Sequence, residues 1–263
     1  MKYVFTTLAI NEPYFKKSLD FFMALHNQTS NGFYNITTSN NDLQRLTENI
    51  GMTYEELKEN YPRLSITTLE DFNFKITFPL EMEGHGFIFN LNLKSLAIKA
   101  AISNNKEFDY LIFSDGDWGI YDGFDESKLL KMFQHMTDNN IDFGFERPSK
   151  IGDYKKNNYQ DCFFYEKVVD YKVDEHDLWD NAEVVNEQFL VFKNNGKLTL
   201  FSQKWEQMLW YTIANNIRNY PDGFEIGVSA LESGMVHSLS PLHFLRNCFY
   251  FYPKYTDTKH IRF

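Results

Sequence analysis

The sequence has few cysteines and no long apolar run, and these two features argue against a zinc site, a disulfide framework and a membrane span. Its 263 residues include two cysteines, Cys162 and Cys248, which lie far apart and outside any Cys-x-x-Cys pattern. This spacing predicts free thiols, not a zinc site or a disulfide framework. No segment approaches the roughly 18 apolar residues of a membrane span, and the N-terminal MKYVFTT lacks the pattern of a signal peptide. We therefore expect a cytoplasmic protein with no membrane contact.

Positive charge is also scarce. The chain has 26 lysine and arginine residues against 36 aspartate and glutamate residues, which gives a formal net charge of −10. A broad basic surface for polyanions is therefore not expected, although residues 155–158 and 254–262 could contact phosphates locally. Hydrophobic residues make up 43% of the chain, which is enough for one sizeable core. Because no long linker divides the sequence, we expect a single domain over residues 1–263.

The order of apolar patterns predicts an α/β fold with a largely parallel sheet. β-rich runs indicate strands at Tyr3–Ile10, Gly32–Thr38, Leu64–Leu69, Phe74–Phe78, Tyr110–Phe113, Val185–Phe192 and within Asn247–Tyr255. Helical spacing indicates helices at Tyr14–Leu25, Asp42–Ile50, Leu93–Asn104, Ser127–Thr137, Phe201–Arg218 and Gly223–Gly234. Gly51 is a helix stop, and Thr53 with Glu56 forms a capping box for one further short helix. Alternating strands and helices favour a sheet whose carboxyl edge collects ligands.

The segment SDGDWGIYDGF, residues 114–124, places two carboxylates at such an edge. Asp115 and Asp117 come just after the apolar run Tyr110–Phe113 and are separated by Gly116. Two carboxylates one residue apart can converge on a hard divalent cation such as Mg²⁺ or Mn²⁺. We expect Gly116 to permit a tight backbone path that a bulky residue would resist. The alternative is a solvated turn, which acid-x-acid patterns often form, but the position after a buried strand favours a metal site.

This arrangement resembles glycosyltransferases of the GT-A fold. The resemblance is carried by YVFTTLAINEPYFKKSL, LKSLAIKAAISNNKEFDYLIFSDGDWGIYDGF, VNEQFLVFKNNGKLTLFSQKWEQML and GFEIGVSALESGM. The Asp-x-Asp motif in the second of these segments is its most specific part. The resemblance implies a GT-A-like, Rossmann-related α/β fold, with a mostly parallel sheet flanked by helices and a C-terminal extension. It also implies a nucleotide-sugar-binding part at residues 1–125 and an acceptor-binding part at 126–263, which contains an insertion or lid at 151–181.

The resemblance implies a donor site around the Asp-x-Asp motif. Asp115 and Asp117 would contact Mn²⁺ or Mg²⁺, the donor ribose, or both. Lys94, which lies 21 residues before Asp115, would face the donor; the alternative is a solvated helix lysine. The nucleotide base would be approached, largely by backbone atoms, by Thr6, Thr7 and Ala9. These three could equally be ordinary strand residues.

The resemblance places the sugar and the reacting groups later in the chain. Glu225 would act as a base toward the acceptor hydroxyl or bind sugar hydroxyls; the alternative is a carboxylate that stabilises its helix dipole. Asn186 and Gln188 would hydrogen-bond the sugar, since alternate residues of a strand share a face. A histidine near the C-terminus would be a further metal ligand. The candidates are His237, His243 and His260, of which His260 is preferred.

These residues together predict a metal-dependent glycosyltransferase. The donor would be a nucleotide sugar, with a UDP-sugar favoured, and the acceptor a hydroxyl group. That hydroxyl could belong to a glycan, or to hydroxymethylated or glycosylated cytosine in phage DNA, in which case the enzyme would work in the host cytoplasm. The order of elements, with Asn186 to Gln188 on one strand and Glu225 later, resembles retaining enzymes more than inverting ones.

Two other functions stand as alternatives. A nucleotidyltransferase would also use an aspartate-held metal on a related sheet. Those enzymes carry a glycine-rich basic loop after the first strand, whereas this sequence has NEPYFKK there. A non-catalytic carbohydrate-binding protein could stack exposed aromatic rings on sugars, but it would not need the acidic pair, Lys94 and Glu225 together.

Overall fold

The chain folds around a central β-sheet whose two faces are covered by helices. A computed structural model describes residues 1–10, 12–72, 93–105, 107–121, 124–150, 183–214, 222–245 and 248–251. The strands in this part of the chain are β1 (Tyr3–Leu8), β2 (Gly32–Thr38), β3 (Leu64–Thr68), β4 (Tyr110–Ser114), β5 (Trp118–Ile120), β6 (Phe143–Lys150), β7 (Glu183–Lys193), β8 (His237–Ser238) and β9 (Phe249–Phe251). The α-helices are α1 (Glu12–Gln28), α2 (Asn40–Ile50), α3 (Tyr54–Asn60), α4 (Lys94–Asn104), α5 (Glu126–Asp138), α6 (Gly196–Ala214) and α7 (Asp222–Glu232). Two 3-10 segments cover Leu69–Phe72 and Ser240–Leu245.

The larger sheet has seven strands in the order β3-β2-β1-β4-β7-β6-β8. Strand β1 is parallel to β2 and β4, β2 is parallel to β3, and β6 is parallel to β8. Strand β7 runs antiparallel to both of its neighbours, β4 and β6. Strands β5 and β9 form a separate two-stranded antiparallel sheet. The predicted α/β class, with a mostly parallel sheet flanked by helices, is confirmed.

Most predicted elements in the described part lie within a few residues of their predicted bounds. Gly51 ends α2 with a φ of 63°, and the capping box of Thr53 and Glu56 begins α3. The predicted strand Phe74–Phe78 and the predicted insertion at 151–181 lie outside the described residues. Strands β5, β6 and β8 were not predicted. β5 and β8 are too short to show a period, and a proline interrupts the pattern of β6.

Two hydrophobic clusters lie on opposite faces of the sheet. Alternate residues of a strand point to opposite faces, and along β1 Phe5 belongs to one cluster while Val4 belongs to the other. The Phe5 cluster contains side chains of α1 and α5, such as Phe15 and Phe133. The Val4 cluster contains side chains of α4, α6 and α7, such as Trp205. The sheet is therefore the middle of three layers.

Helix α4 is buried on most of its sides, although its sequence predicts one apolar face. Ala97 and Ile98 pack on the sheet, while Leu96 packs with Leu209 of α6. Its first residue, Lys94, is only 4% exposed. The alternative interpretation of Lys94 as a solvated helix lysine is therefore wrong. The helix is enclosed because α6 covers the side that faces away from the sheet.

A buried polar network ties α4 to the first three strands. Asn35 of β2 donates to the hydroxyls of Thr6 and Thr37, at 3.3 Å each, and its carbonyl oxygen accepts from Thr67 at 3.0 Å. Asn104, the last residue of α4, donates to the same Asn35 oxygen at 3.2 Å. Because buried polar groups that are satisfied in this way fix one arrangement of their elements, the network sets where α4 lies over the sheet.

Candidate functional site

The acidic turn Asp115–Asp117 lies at the carboxyl end of β4, beside the end of β1. The register of these parallel strands pairs Thr6 with Phe113, so both strands end at the same edge of the sheet. The backbone amide of Asp115 donates to the carbonyl of Gln188 at 3.0 Å. The turn is thereby bonded to β7, whose residues before Phe189 extend beyond the end of β4. Ligands of open α/β sheets bind at such an edge.

Gly116 brings the turn into contact with α1. Its carbonyl accepts a hydrogen bond of 3.1 Å from the Ser18 hydroxyl, and Ser18 is itself buried. A Cβ atom at position 116 would lie 2.7 Å from the Ser18 Oγ atom, a distance that side chains do not tolerate. Gly116 does not have a positive φ. The glycine is therefore explained by the close approach of α1, which agrees with the expectation that a bulky residue would be resisted there.

Lys94 forms an ion pair with the first acid of the turn. Its Nζ atom lies 2.9 Å from the Oδ1 atom of Asp115, and the two side chains are 5% and 22% exposed. The same Nζ atom lies 5.8 Å from the centre of the Phe113 ring. Because Lys94 begins α4 at the edge where β4 ends, the helix holds its ammonium group against the turn. The structure thus brings Lys94 and Asp115 together, and a contact of Lys94 with the donor stays a prediction.

Asp117 is the buried member of the acidic pair, with 4% of its surface exposed. Burial, followed by the negative charge of Asp115, raises the pKa of Asp117 to about 7. The positive charges of Lys17 and Lys94 act in the opposite direction. Two carboxylates close enough to repel each other gain stability from a cation placed between them. The pair therefore has the electrostatic character of a cation site.

The donor atoms present fit Mg²⁺ or Mn²⁺ bound together with a phosphate ligand. Both side chains offer carboxylate oxygens, which these hard cations prefer. Within the described residues, no group of three or more His, Cys, Asp or Glu side chains could hold a metal. Mg²⁺ is commonly held by one or two carboxylates, with water and substrate phosphates completing its coordination. Two protein ligands are thus sufficient for an ion that is shared with a phosphate.

The residues predicted to approach the base lie at the end of β1. The Thr6 hydroxyl donates to the carbonyl of Ala97 at 3.0 Å and is buried under α4. The Ala9 amide donates to the Thr37 carbonyl at 2.8 Å, and the Ala9 carbonyl accepts from the Thr38 hydroxyl at 2.7 Å. Thr7 is also buried. A base contact through these residues stays a prediction, and the Thr6 side chain already serves the packing of α4.

Glu225 lies near the start of α7 and is completely buried. Its Oε2 atom accepts a hydrogen bond of 2.8 Å from the indole nitrogen of Trp205. Helix α7 packs closely on β7, since a Cβ atom on Gly227 would lie 1.5 Å from the Glu183 carbonyl oxygen. In this structure Glu225 therefore connects α7 to α6. Its action as a base or as a sugar ligand stays a prediction.

The remaining predicted site residues are only partly described. Gln188 contributes the carbonyl that holds Asp115, whereas for Asn186 only the backbone is described. His260 lies outside the described residues. The Nε2 atom of the alternative candidate, His237, lies 3.0 Å from the Oε2 atom of Glu183. This contact borders a cavity of about 220 Å³ whose lining includes Phe143, Phe145 and Met235.

Lys17 and Ser18 of α1 were not among the site residues predicted from the sequence. The positive charge of Lys17 lowers the pKa of Asp117, and the Ser18 hydroxyl donates a hydrogen bond to the Gly116 carbonyl of the turn. A signal was present, because a helix that directly follows a strand begins at the carboxyl edge of the sheet. The first turns of α1 could therefore have been expected beside the turn that follows β4.

Comparison with known proteins gives a fold likeness and no family. No protein-family model matches the chain, and no curated protein matches it. Among solved structures, the chain is similar to core-mannan synthase A from Aspergillus fumigatus in its Mn/GDP form, with 9% identity and a TM-score of 0.49. The match covers 90% of this chain and 70% of that chain. At these values the likeness assigns no activity.

No helix in the described residues is long and apolar enough to cross a membrane.

Proposed function

We propose that the protein is a metal-dependent glycosyltransferase that uses a nucleotide-sugar donor. The observation that carries this proposal is the convergence of Asp115, Asp117 and Lys94 at the carboxyl edge of the sheet. Two carboxylates and a buried ammonium group suit a diphosphate that is bound together with a divalent cation. A UDP-sugar is the favoured donor. The favoured acceptor is a hydroxyl group on a glycan or on hydroxymethylated or glycosylated cytosine in phage DNA.

In this proposal the chain's own residues position the donor and the leaving group. Asp115 and Asp117 hold Mn²⁺ or Mg²⁺, which when bound offsets the negative charge that develops on the departing nucleoside diphosphate. Lys94 supplies a second, fixed positive charge beside Asp115. The hydrogen bonds from Ser18 to Gly116 and from Asp115 to Gln188 hold the turn in place on both sides. The site is therefore organised before substrate arrives, which is where much of the catalytic benefit arises.

The other proposed contacts surround this centre. The end of β1 meets the nucleotide base through Thr6, Thr7 and Ala9. The sugar hydroxyls are bound by Asn186 and Gln188, and Glu225 acts as the base toward the acceptor or as a further sugar ligand. His260 supplies the third metal ligand. We further propose that transfer occurs with retention, that residues 1–125 bind the donor and 126–263 the acceptor, and that the protein is cytoplasmic.

The test is a binding screen on the wild type and on carboxamide variants of the turn. UDP-, GDP- and CMP-sugars are compared by thermal shift, with Mn²⁺ and with EDTA. We expect a shift that requires both Mn²⁺ and one nucleotide sugar. Asp115→Asn, Asp117→Asn and the double variant should lose the shift and lower turnover by at least about 100-fold.

Asp20→Asn is the matched control for these variants. Asp20 is an exposed acid on α1 that pairs with Lys16 at 2.7 Å, so its loss removes one negative charge without changing the turn. It should bind donor and metal like the wild type. Binding and turnover that persist both in EDTA and in the double variant would contradict a metal-dependent transferase.

A further inference from the structure

The ion pair at the acidic turn places a protein cation on a proposed metal ligand. Lys94 Nζ lies 2.9 Å from Asp115 Oδ1, and the lysine side chain is 5% exposed. A divalent cation that binds Asp115 must share that carboxylate with the ammonium group. Two positive charges in contact with one carboxylate repel each other, and the repulsion is strong in a poorly hydrated site. Lys94 and the metal therefore compete for Asp115.

Lys94 has little freedom to move away into water. It begins α4, its Nζ atom lies 5.8 Å from the centre of the Phe113 ring, the residue is 4% exposed, and α4 is fixed between the sheet and α6. If a metal drew the charge of Asp115 to itself, the ion pair between Lys94 and Asp115 would weaken. A buried ammonium group with a weakened partner is costly. An anionic ligand at the same edge, such as a diphosphate, would replace the lost partner.

We propose that Lys94 couples the binding of the divalent cation to the binding of the nucleoside diphosphate. In the donor-free protein Lys94 weakens metal binding by holding Asp115. When the diphosphate binds, Lys94 transfers its contact to a phosphate oxygen and leaves Asp115 to the metal. Each ligand thus raises the affinity for the other by the same factor, as thermodynamic linkage requires. This inference rests on the proposed donor site.

The test is a Mn²⁺ titration of the full chain, in which free Mn²⁺ is followed by electron paramagnetic resonance. Titrations are run without nucleotide and with saturating UDP or GDP. For the wild type we expect the nucleotide to raise Mn²⁺ affinity by between about 5-fold and 150-fold. For Lys94→Met we expect tighter Mn²⁺ binding without nucleotide, by about 10-fold, and a coupling factor lower than that of the wild type by the same factor, because the direct contact between metal and phosphate remains. Lys94→Arg keeps the charge and should keep the coupling.

Lys99→Met is the matched control, because it removes another ion pair from the same helix. Lys99 Nζ lies 2.6 Å from Glu206 Oε1, away from the turn. This variant should leave both the Mn²⁺ affinity and the coupling factor unchanged. If Lys94→Met and Lys99→Met changed the Mn²⁺ affinity and the coupling factor equally, the effect would be a general one on α4. That result would overturn the specific role of Lys94.

The outcomes separate this inference from the proposed function. If Lys94→Met keeps the coupling factor of the wild type, the role of Lys94 is overturned while the donor site stands. If Lys94→Met without nucleotide binds Mn²⁺ no more tightly than the wild type does, the proposed competition between Lys94 and the metal for Asp115 is overturned. The donor site again stands. Failure of the wild type to bind Mn²⁺ with either nucleotide overturns both. Lys94→Arg keeps the charge, so the test does not depend on the folding of Lys94→Met alone.

Discussion

At the acidic turn, the lack of a side chain on Gly116 allows α1 to approach closely the turn that follows β4. Gly116 lies under the Ser18 hydroxyl, which bonds to its carbonyl and occupies the space that a Cβ atom would need. The two remaining near atoms, the carbonyl oxygens of Leu8 and Tyr14, would be 3.4 and 3.6 Å from that Cβ, which are ordinary contacts. The steric conflict therefore involves one atom, Ser18 Oγ.

We predict that Gly116→Ala destabilises the protein by about 1–3 kcal/mol, the usual cost of inserting a group into packed space. Ser18→Ala should cost about 1 kcal/mol, because it loses one hydrogen bond. The double variant should cost less than the sum, since Ser18→Ala removes the atom that the new Cβ meets. Urea denaturation of the four proteins measures this double-mutant cycle. Additive costs would show that the contact does not constrain the turn.

At the scale of elements, helix ends follow local chemistry. Ser39 caps α2 by accepting from the Asp42 amide, and Gly51 ends that helix in the left-handed conformation. Thr53 and Glu56 bond reciprocally at the start of α3. These signals depend on residues three or four positions apart, so the sequence alone predicted both the stop at Gly51 and the capping box.

We predict that Thr53→Ala lowers the free energy of unfolding by about 1 kcal/mol, because the Glu56 amide loses its capping oxygen. Lys58→Ala, in the same helix but away from the cap, is the control and should change stability by less than about 0.5 kcal/mol. Chemical denaturation at neutral pH compares the two. Equal effects of the two variants would mean that α3 is stabilised by its packing and not by the capping box.

The direction of a strand is an element-scale property that local patterns do not reveal. The apolar run at Val185–Phe192 predicts a strand but is the same whether that strand runs parallel or antiparallel. In the structure β7 runs antiparallel between β4 and β6. This direction extends the residues before Phe189 past the end of β4, where the Gln188 carbonyl meets the Asp115 amide. The antiparallel direction of β7, which was not predicted, thus places the Gln188 carbonyl beside the predicted acidic turn.

At the scale of the whole molecule, α7 is fixed by its contact with β7. Gly227 allows the helix backbone to touch the strand, since a Cβ atom there would lie 1.5 Å from the carbonyl oxygen and 2.7 Å from the carbonyl carbon of Glu183. Neither atom can move without moving the strand. Glu225, which bonds to Trp205 of α6, is positioned by the same contact.

We predict that Gly227→Ala destabilises the protein by about 3 kcal/mol or more, because α7 must separate from the sheet. Gly196→Ala is the control: it also lies in a helix, and a Cβ atom there would meet nothing within 4 Å. It should be neutral or slightly stabilising. Thermal unfolding compares them. A Gly227→Ala protein as stable as the wild type would show that α7 does not pack on β7 as described.

The features of this protein that could be predicted from the sequence depend on neighbours along the chain. The sequence predicted the helices and the strands β1, β2, β3, β4 and β7, two helix ends, and a pair of carboxylates at the end of β4, because periodicity, capping and turn position are local properties. The tertiary structure decided how those parts meet. The ion pair of Lys94 with Asp115, the approach of Ser18 to Gly116 and the burial of Glu225 against Trp205 join segments at least 20 positions apart. Such contacts depend on how helices pack on the sheet, which no local pattern contains.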